Sequence, residues 1–192
     1  MIGDDVVDLA DPEARADALH PRFDARVFAP AERAALAASA DPGRLRWVLW
    51  AAKEAAYKLA SQRDPRVVFS PRRFAVSLGA RLPGRVLWPG GAARVQVRRV
   101  GDAAHATARP LDAPGGGLAR GVARIAPGDD PSREARELAR RGVARRLGLD
   151  ARALYVVRRG RIPRLELPGG RALALSLSHH GAFVSFACEL PR

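Results

Sequence analysis

The chain has 192 residues, a formal charge of +13, 47% hydrophobic and 6% aromatic residues, and a single cysteine, Cys188. That length suits one ordinary domain or two small, closely packed ones. The absence of any uninterrupted apolar run of about 18 residues argues against a membrane-spanning helix, and one cysteine excludes an internal disulfide and suits a reducing cytoplasm.

The acidic start Met1-Ile-Gly-Asp-Asp5 lacks the basic character of a secretion signal, so a cytoplasmic protein is expected. Ile2–Leu9 reads as a strand with Asp4, Asp5 and Asp8 along it. Alternation puts Asp5 on the face opposite Asp4 and Asp8, and a solvated edge is the plainer reading for the latter two. Asp-Pro pairs at Asp11-Pro12, Asp41-Pro42 and Asp130-Pro131 announce three helices, aspartate as N-cap and proline at the first helical position. Pro30 opens a fourth. The Asp41 helix carries Trp47, Trp50, Glu54, Lys58 and Ser61. The Asp130 helix places Ala135, Leu138, Ala139, Val143 and Leu147 at helical spacing and should stop at Gly148.

Strands are expected at Arg73–Leu78, Ala93–Val100 and Leu154–Arg158. Leu173–Ser178 alternates cleanly and pairs with Ala182–Cys188 across a short His-His-Gly turn, an antiparallel hairpin. The proline- and glycine-rich stretch from Pro110 to Gly117 is the linker candidate. Each side of it reads as strand, helix and further strands. The expected fold class is therefore α+β: two similar subdomains, each a small antiparallel sheet packed with helices and related by a pseudo-twofold. Their bounds are 1–110 and 111–192.

Only two lysines occur, Lys53 and Lys58, flanking Glu54; the other 31 basic residues are arginine, and there is no asparagine. Lysine retained against that drift marks a place where a compact ammonium is needed rather than a planar guanidinium. On spacing alone, Glu54 and Lys58 at i, i+4 are a surface ion pair worth a few tenths of a kcal/mol. Against that, Trp50 and Tyr57 lie beside them, which places the pair in a partly buried groove. A carboxylate there can hold a hard cation, and a lysine one turn on can meet a phosphate oxygen. Asp5 with Glu54 suits magnesium, which takes one or two protein carboxylates and fills its other sites with water and substrate phosphates. Ser178-His179-His180-Gly181 can bind phosphate, supply a base and nucleophile, or simply complete the hairpin. Adjacent histidines do not share a face and no cysteine is near, which argues against zinc.

Gly-x-Asp near the start, Phe28 followed by Glu32, Trp50-Ala-Ala-Lys-Glu-Ala-Ala-Tyr-Lys58, and a late Ser176-Leu-Ser-His179 strand together resemble the 4′-phosphopantetheinyl transferase superfamily. The four elements span residues 3 to 188, with no motif between about 80 and 150. Their order resembles the holo-acyl-carrier-protein-synthase branch, in which single units form trimers. The chain's length and repeat resemble instead the surfactin-type branch with its halves exchanged: 1–110 matches that branch's second half and 111–192 its first. A circularly permuted, monomeric pseudo-dimer is the expectation. A single unit with an insertion, completing its site between subunits, is the alternative.

The resemblance implies a magnesium-dependent transfer of 4′-phosphopantetheine from coenzyme A to a serine of an acidic apo-carrier protein, releasing 3′,5′-ADP. The carrier would serve fatty acid, polyketide or peptide synthesis. Asp5 and Glu54 match the metal positions, Lys58 the pyrophosphate lysine, and Ser178 and His179 residues near the nucleotide 3′-phosphate. Lys53 joins the expected coenzyme A contacts. Arg161 stands where the family has lysine in Gly-Lys-Pro, although this chain reads Gly160-Arg-Ile-Pro163, one residue longer. The extra acidic ligand of the surfactin-type branch is Val7 here. A +13 surface suits an acidic carrier by electrostatic steering. Competing readings are a basic nucleic-acid-binding protein, for which no motif is apparent and aromatic residues are few, and a pseudoenzyme that retains coenzyme A binding without transfer.

Overall fold

A computed structural model describes residues 1–77, 84–113 and 116–191. Strand β1 (Gly3–Asp8) leads through two 3-10 turns into helices α1 (Phe23–Val27), α2 (Pro30–Ala38) and α3 (Pro42–Arg63). Strands β2 (Ala75–Ser77), β3 (Gly84–Trp88), β4 (Gly91–Val100) and β5 (Ala103–Pro110) follow. The second half runs β6 (Leu118–Arg124), α4 (Pro131–Leu147), β7 (Tyr155–Arg159), β8 (Ile162–Glu166), β9 (Ala172–His180) and β10 (Phe183–Glu189).

Two antiparallel five-stranded sheets result, ordered β1-β5-β4-β3-β2 and β6-β10-β9-β8-β7. The second order repeats the first, with β1 answered by β6, β5 by β10 and β4 by β9. Each half lays one long helix across its sheet, and the fold is α+β with two similar halves, as the sequence indicates. The expected strand at Arg73–Leu78 is shorter, since 71–73 form a 3-10 turn and Leu78 lies outside the described residues.

The Asp-Pro starts are real caps. Asp41 accepts from Arg44 N at 2.9 Å and Asp130 from Ser132 N at 2.9 Å, each worth about 1 kcal/mol to its helix. Gly148 takes the left-handed conformation that ends α4 (φ +67°). The Asp11 cap forms too, but only short 3-10 turns follow it. Pro21 disfavours helical geometry at His20 and cuts the segment off.

The cores are thin. Ala51, Ala52, Ala55 and Ala56 of α3 meet Ala104, Ala106 and Ala108 of β5 with Val95 of β4, so helix and sheet approach closely. At Gly3 the approach is tighter still: a Cβ there would run into the Ala55 carbonyl. The glycine of Gly-x-Asp therefore lets β1 lie against α3. The halves meet along β1, which contacts β9 and β10 as well as α3. Gln62 of α3 ties them, donating to the carbonyls of Ile2 (2.8 Å) and Leu175 (3.2 Å).

Candidate active site

Three elements converge where the halves meet. Lys58 of α3 donates from Nζ to Asp5 Oδ1 of β1 at 2.9 Å and to Ser178 Oγ of β9 at 3.0 Å. Ser178 Oγ in turn donates to the same Asp5 oxygen at 2.8 Å. Asp5 and Ser178 are buried, while the Lys58 side chain keeps 28% of its surface exposed. The side chain thus reaches solvent from a nearly dry base.

Glu54 sits one turn before Lys58, half-buried, its carboxylate in no hydrogen bond or ion pair with any described residue. The i, i+4 surface pair that the spacing alone suggests does not form, because Lys58 turns to Asp5. Burial pushes the Glu54 carboxyl up to about 7, helped by the Asp5 charge and opposed by Lys58. Burial also raises Asp5, against the pull of Lys58 and the Ser178 hydrogen bond. For Lys58, burial acts downward but is outweighed by Asp5, Asp4 and Glu54, which raise it. The cluster is short of positive charge.

The donor set fits a hard dication. Both bonds to Asp5 go to Oδ1, and Oδ2 accepts from no group among the described residues. Asp5 Oδ2 and Glu54 offer two hard oxygens, the number magnesium commonly takes from protein. Among the described residues no cluster of three or more His, Cys, Asp or Glu ligands occurs, so a metal here would draw its other ligands from water and substrate.

Two other aspartates of β1 depart from the solvated-edge reading. Asp4 is fully buried, 2.6 Å from His105 Nε2 and accepting from Ser185 Oγ at 2.7 Å. Asp8 accepts from the backbone of Ala10 (2.9 Å) and Ala182 (3.0 Å). The second half covers the strand that the first half leaves at its sheet edge.

Lys53 corrects the sequence reading most sharply. It has no accessible surface and donates to both Glu32 oxygens (2.8 and 2.7 Å) and to the carbonyls of Pro71 (3.1 Å) and Phe74 (2.6 Å). Glu32 also accepts from Ala29 N and Val76 N. Lys53 points away from any solvent-reachable ligand, and its place among the coenzyme A contacts is withdrawn. It knits α2, α3 and the turn before β2.

His179 and Arg161 come together. They line a cavity of about 240 Å³ with Arg136 of α4 and Arg158 of β7. Arg136 and Arg158 escaped the sequence reading; the signal was the Arg158-Arg159 doublet just before the Gly160-Arg161 turn. A roomier cavity of about 520 Å³ between α4 and β7 shares Arg136 and Val156 with it. Its Arg140 and Arg141 are engaged by Glu137 and its Arg133 by Glu134, whereas Arg158 and Arg161 of the smaller cavity make no salt bridge among the described residues, and His179 there is the chain neighbour of Ser178. The smaller cavity is the better anion site.

On the other flank of Glu54 is an aromatic wall. Phe69 packs on Tyr57 (4.8 Å between ring centres) and on Trp50 (5.9 Å). Trp50 and Tyr57 stand four residues before and three after Glu54, so the carboxyl emerges between rings on one side and Lys58 on the other.

Residues 1–108 match a family described as the 4′-phosphopantetheinyl transferase superfamily. No curated protein sequence matches the chain. Among solved structures, the crystal structure of Thermotoga maritima holo-[acyl-carrier-protein] synthase aligns over 89% of this chain and 83% of that one, at 14% identity and a TM-score of 0.44.

Proposed function

The chain belongs to the 4′-phosphopantetheinyl transferase superfamily, and from that premise we propose that it moves the 4′-phosphopantetheine group of coenzyme A to a serine of an acidic carrier protein. The observation that carries this reading is the bonding of Lys58 to both Asp5 and Ser178. It joins the two motif groups of the sequence in one cleft of one polypeptide.

The chemistry is a phosphoryl-type transfer, in which positioning and charge neutralisation dominate. The carrier serine Oγ attacks the β-phosphorus of coenzyme A. The bond from that phosphorus to the bridging oxygen breaks, and 3′,5′-ADP leaves with the bridging electrons. Lys58, cationic and partly exposed, lies against the pyrophosphate and offsets its charge. Glu54 takes the serine proton directly or through one water. Asp5 Oδ2 and Glu54 would hold magnesium, which when bound neutralises the pyrophosphate. His179, Arg158 and Arg161 receive the 3′-phosphate of the nucleotide.

Because Asp5, Glu54, Lys58 and Ser178 come from one chain, we assign the working unit to a monomer built as a permuted pseudo-dimer, with 1–110 and 111–192 as its halves. Its buried, unpaired Cys188 suits a cytoplasmic location. No helix among the described residues is long and apolar enough to cross a membrane.

The test is product analysis. With coenzyme A, magnesium and an apo-carrier, 3′,5′-ADP should appear in step with loss of apo-carrier. A carrier whose acceptor serine is replaced by alanine should release none. Release that does not depend on that serine would refute transfer.

A further inference from the structure

Val68 is 80% exposed, the most open of the large apolar side chains among the described residues. It is not on a loose tail. Asp64 accepts from Arg66 N at 3.0 Å, Val67 N donates to the Asp64 carbonyl at 3.1 Å, and the neighbouring Phe69 ring packs on Tyr57, Trp50 and Phe74. Val67 and Phe69 turn inward while Val68 is held out. Leaving such a side chain in water forgoes its burial, so a fixed, outward valine is suited to contact.

Its surroundings are basic. Arg63, Arg66, Arg72 and Arg73 are all exposed within five residues of Val68, against one carboxylate, Asp64, which pairs with Arg66 at 3.0 Å. Its position is set by Phe69, which rests on Trp50 and Tyr57, the residues flanking Glu54 on α3. The loop therefore forms a rim on the aromatic side of Glu54, away from Lys58.

We propose that this rim is the docking surface for the carrier protein: an apolar side chain of the carrier seats on Val68 while carboxylates beside it meet the surrounding arginines. The proposal rests on the transfer function proposed above and adds where the acceptor binds. A carrier held there presents its serine to Glu54 from the aromatic side, leaving the Lys58 side to the pyrophosphate. A protein partner is favoured over nucleic acid because the rings of Phe69, Trp50 and Tyr57 are packed on one another. What the rim offers is an aliphatic side chain, which gives a base nothing to stack on.

Two variants at exposed positions test this: Val68→Asp, and Arg72→Glu with Arg73→Glu. KM for an apo-acyl carrier protein should rise about tenfold or more in each, the cost of one central contact. Coenzyme A affinity by calorimetry should match wild type in both. Added salt should raise the wild-type KM toward that of the arginine variant. An unchanged carrier KM in Val68→Asp overturns the proposal. If the wild type modifies no carrier, the function fails independently, and docking is read from the anisotropy of a fluorescent apo-carrier. Binding that Val68→Asp abolishes sustains the surface; no binding, or binding that the variant retains, overturns it. A single-stranded oligonucleotide that binds the wild type in place of the carrier overturns it as well.

Discussion

Lys58 and Ser178 lie 120 positions apart in the chain and are joined by a 3.0 Å hydrogen bond across the line where the two halves meet. A helix of one half thereby fixes a strand end of the other, and both address the same oxygen of Asp5. Three donor and acceptor groups from distant segments satisfy one another in a nearly closed space. A side chain of different shape at any corner disturbs the other two.

Lys58→Arg should therefore lose activity although it keeps the charge. The guanidinium is a planar fork, and the corner between Asp5 and Ser178 is occupied by a compact ammonium. A fall of about tenfold or more in kcat/KM is expected, measured at a temperature where the variant is fully folded. A kcat/KM near wild type would show that retention of this lysine has no bearing on the chemistry.

Glu54 should make the metal-free protein less stable as pH rises. Its carboxyl sits at about 7 in the fold against an ordinary 4.5, so folding favours the protonated form. That stabilisation is complete below the ordinary value and disappears as pH climbs through about 7; it amounts to roughly 3 kcal/mol at most. Glu54→Gln removes it, and thermal melts in chelator from pH 5 to 8 should be flatter for the variant than for wild type. Some slope remains, because Asp5 is raised in the same direction. Parallel curves would contradict the buried, unpaired state of Glu54.

Lys53 carries a structural prediction. Removing one partner of a fully buried ion pair leaves the other charge uncompensated, which costs about 3–5 kcal/mol. Lys53→Met should lower urea stability by that amount, since Glu32 would remain among its backbone donors. The folded fraction should bind coenzyme A as wild type does. Weakened coenzyme A binding in a stably folded Lys53→Met protein would return Lys53 to the ligand site.

Arg161→Ala and His179→Ala should separate two ligands that differ by one phosphate. If the cavity of about 240 Å³ takes the 3′-phosphate, each variant weakens coenzyme A by roughly 1–3 kcal/mol, the worth of a charged hydrogen bond. Binding of dephospho-coenzyme A should be left nearly as it was. Equal losses for both ligands, measured by calorimetry, would place the 3′-phosphate elsewhere.

The long helices and the late hairpin are legible in the sequence because their signals are local: Asp-Pro caps, helical spacing, strict alternation. Strand β5 is not, since Ala103–Pro110 holds four alanines where a strand normally advertises β-branched residues. Strand β6 contains Gly121, whose missing side chain makes room for the Phe186 ring; only the folded neighbour explains it. At the site, Asp5, Lys58 and Ser178 meet in one hydrogen-bonded cluster, whereas the motif match puts Ser178 near the nucleotide 3′-phosphate. Lys53 was misread because its partner, Glu32, arrives from another helix. Asp4 and Asp8 were misread because burial of β1 depends on the second half, which no local pattern announces.

The most direct test of the account is the intact mass of an apo-carrier after incubation with coenzyme A, magnesium and either wild-type protein or an equimolar mixture of Glu54→Ala and His179→Ala. One chain supplying a complete site predicts that the carrier gains a single phosphopantetheine with the wild type. With the mixture it should gain no more than with the His179→Ala protein alone, because neither variant can lend the other its missing group. No gain with wild type would contradict the function, and a gain with the mixture beyond that of His179→Ala alone would contradict a site contained in one chain.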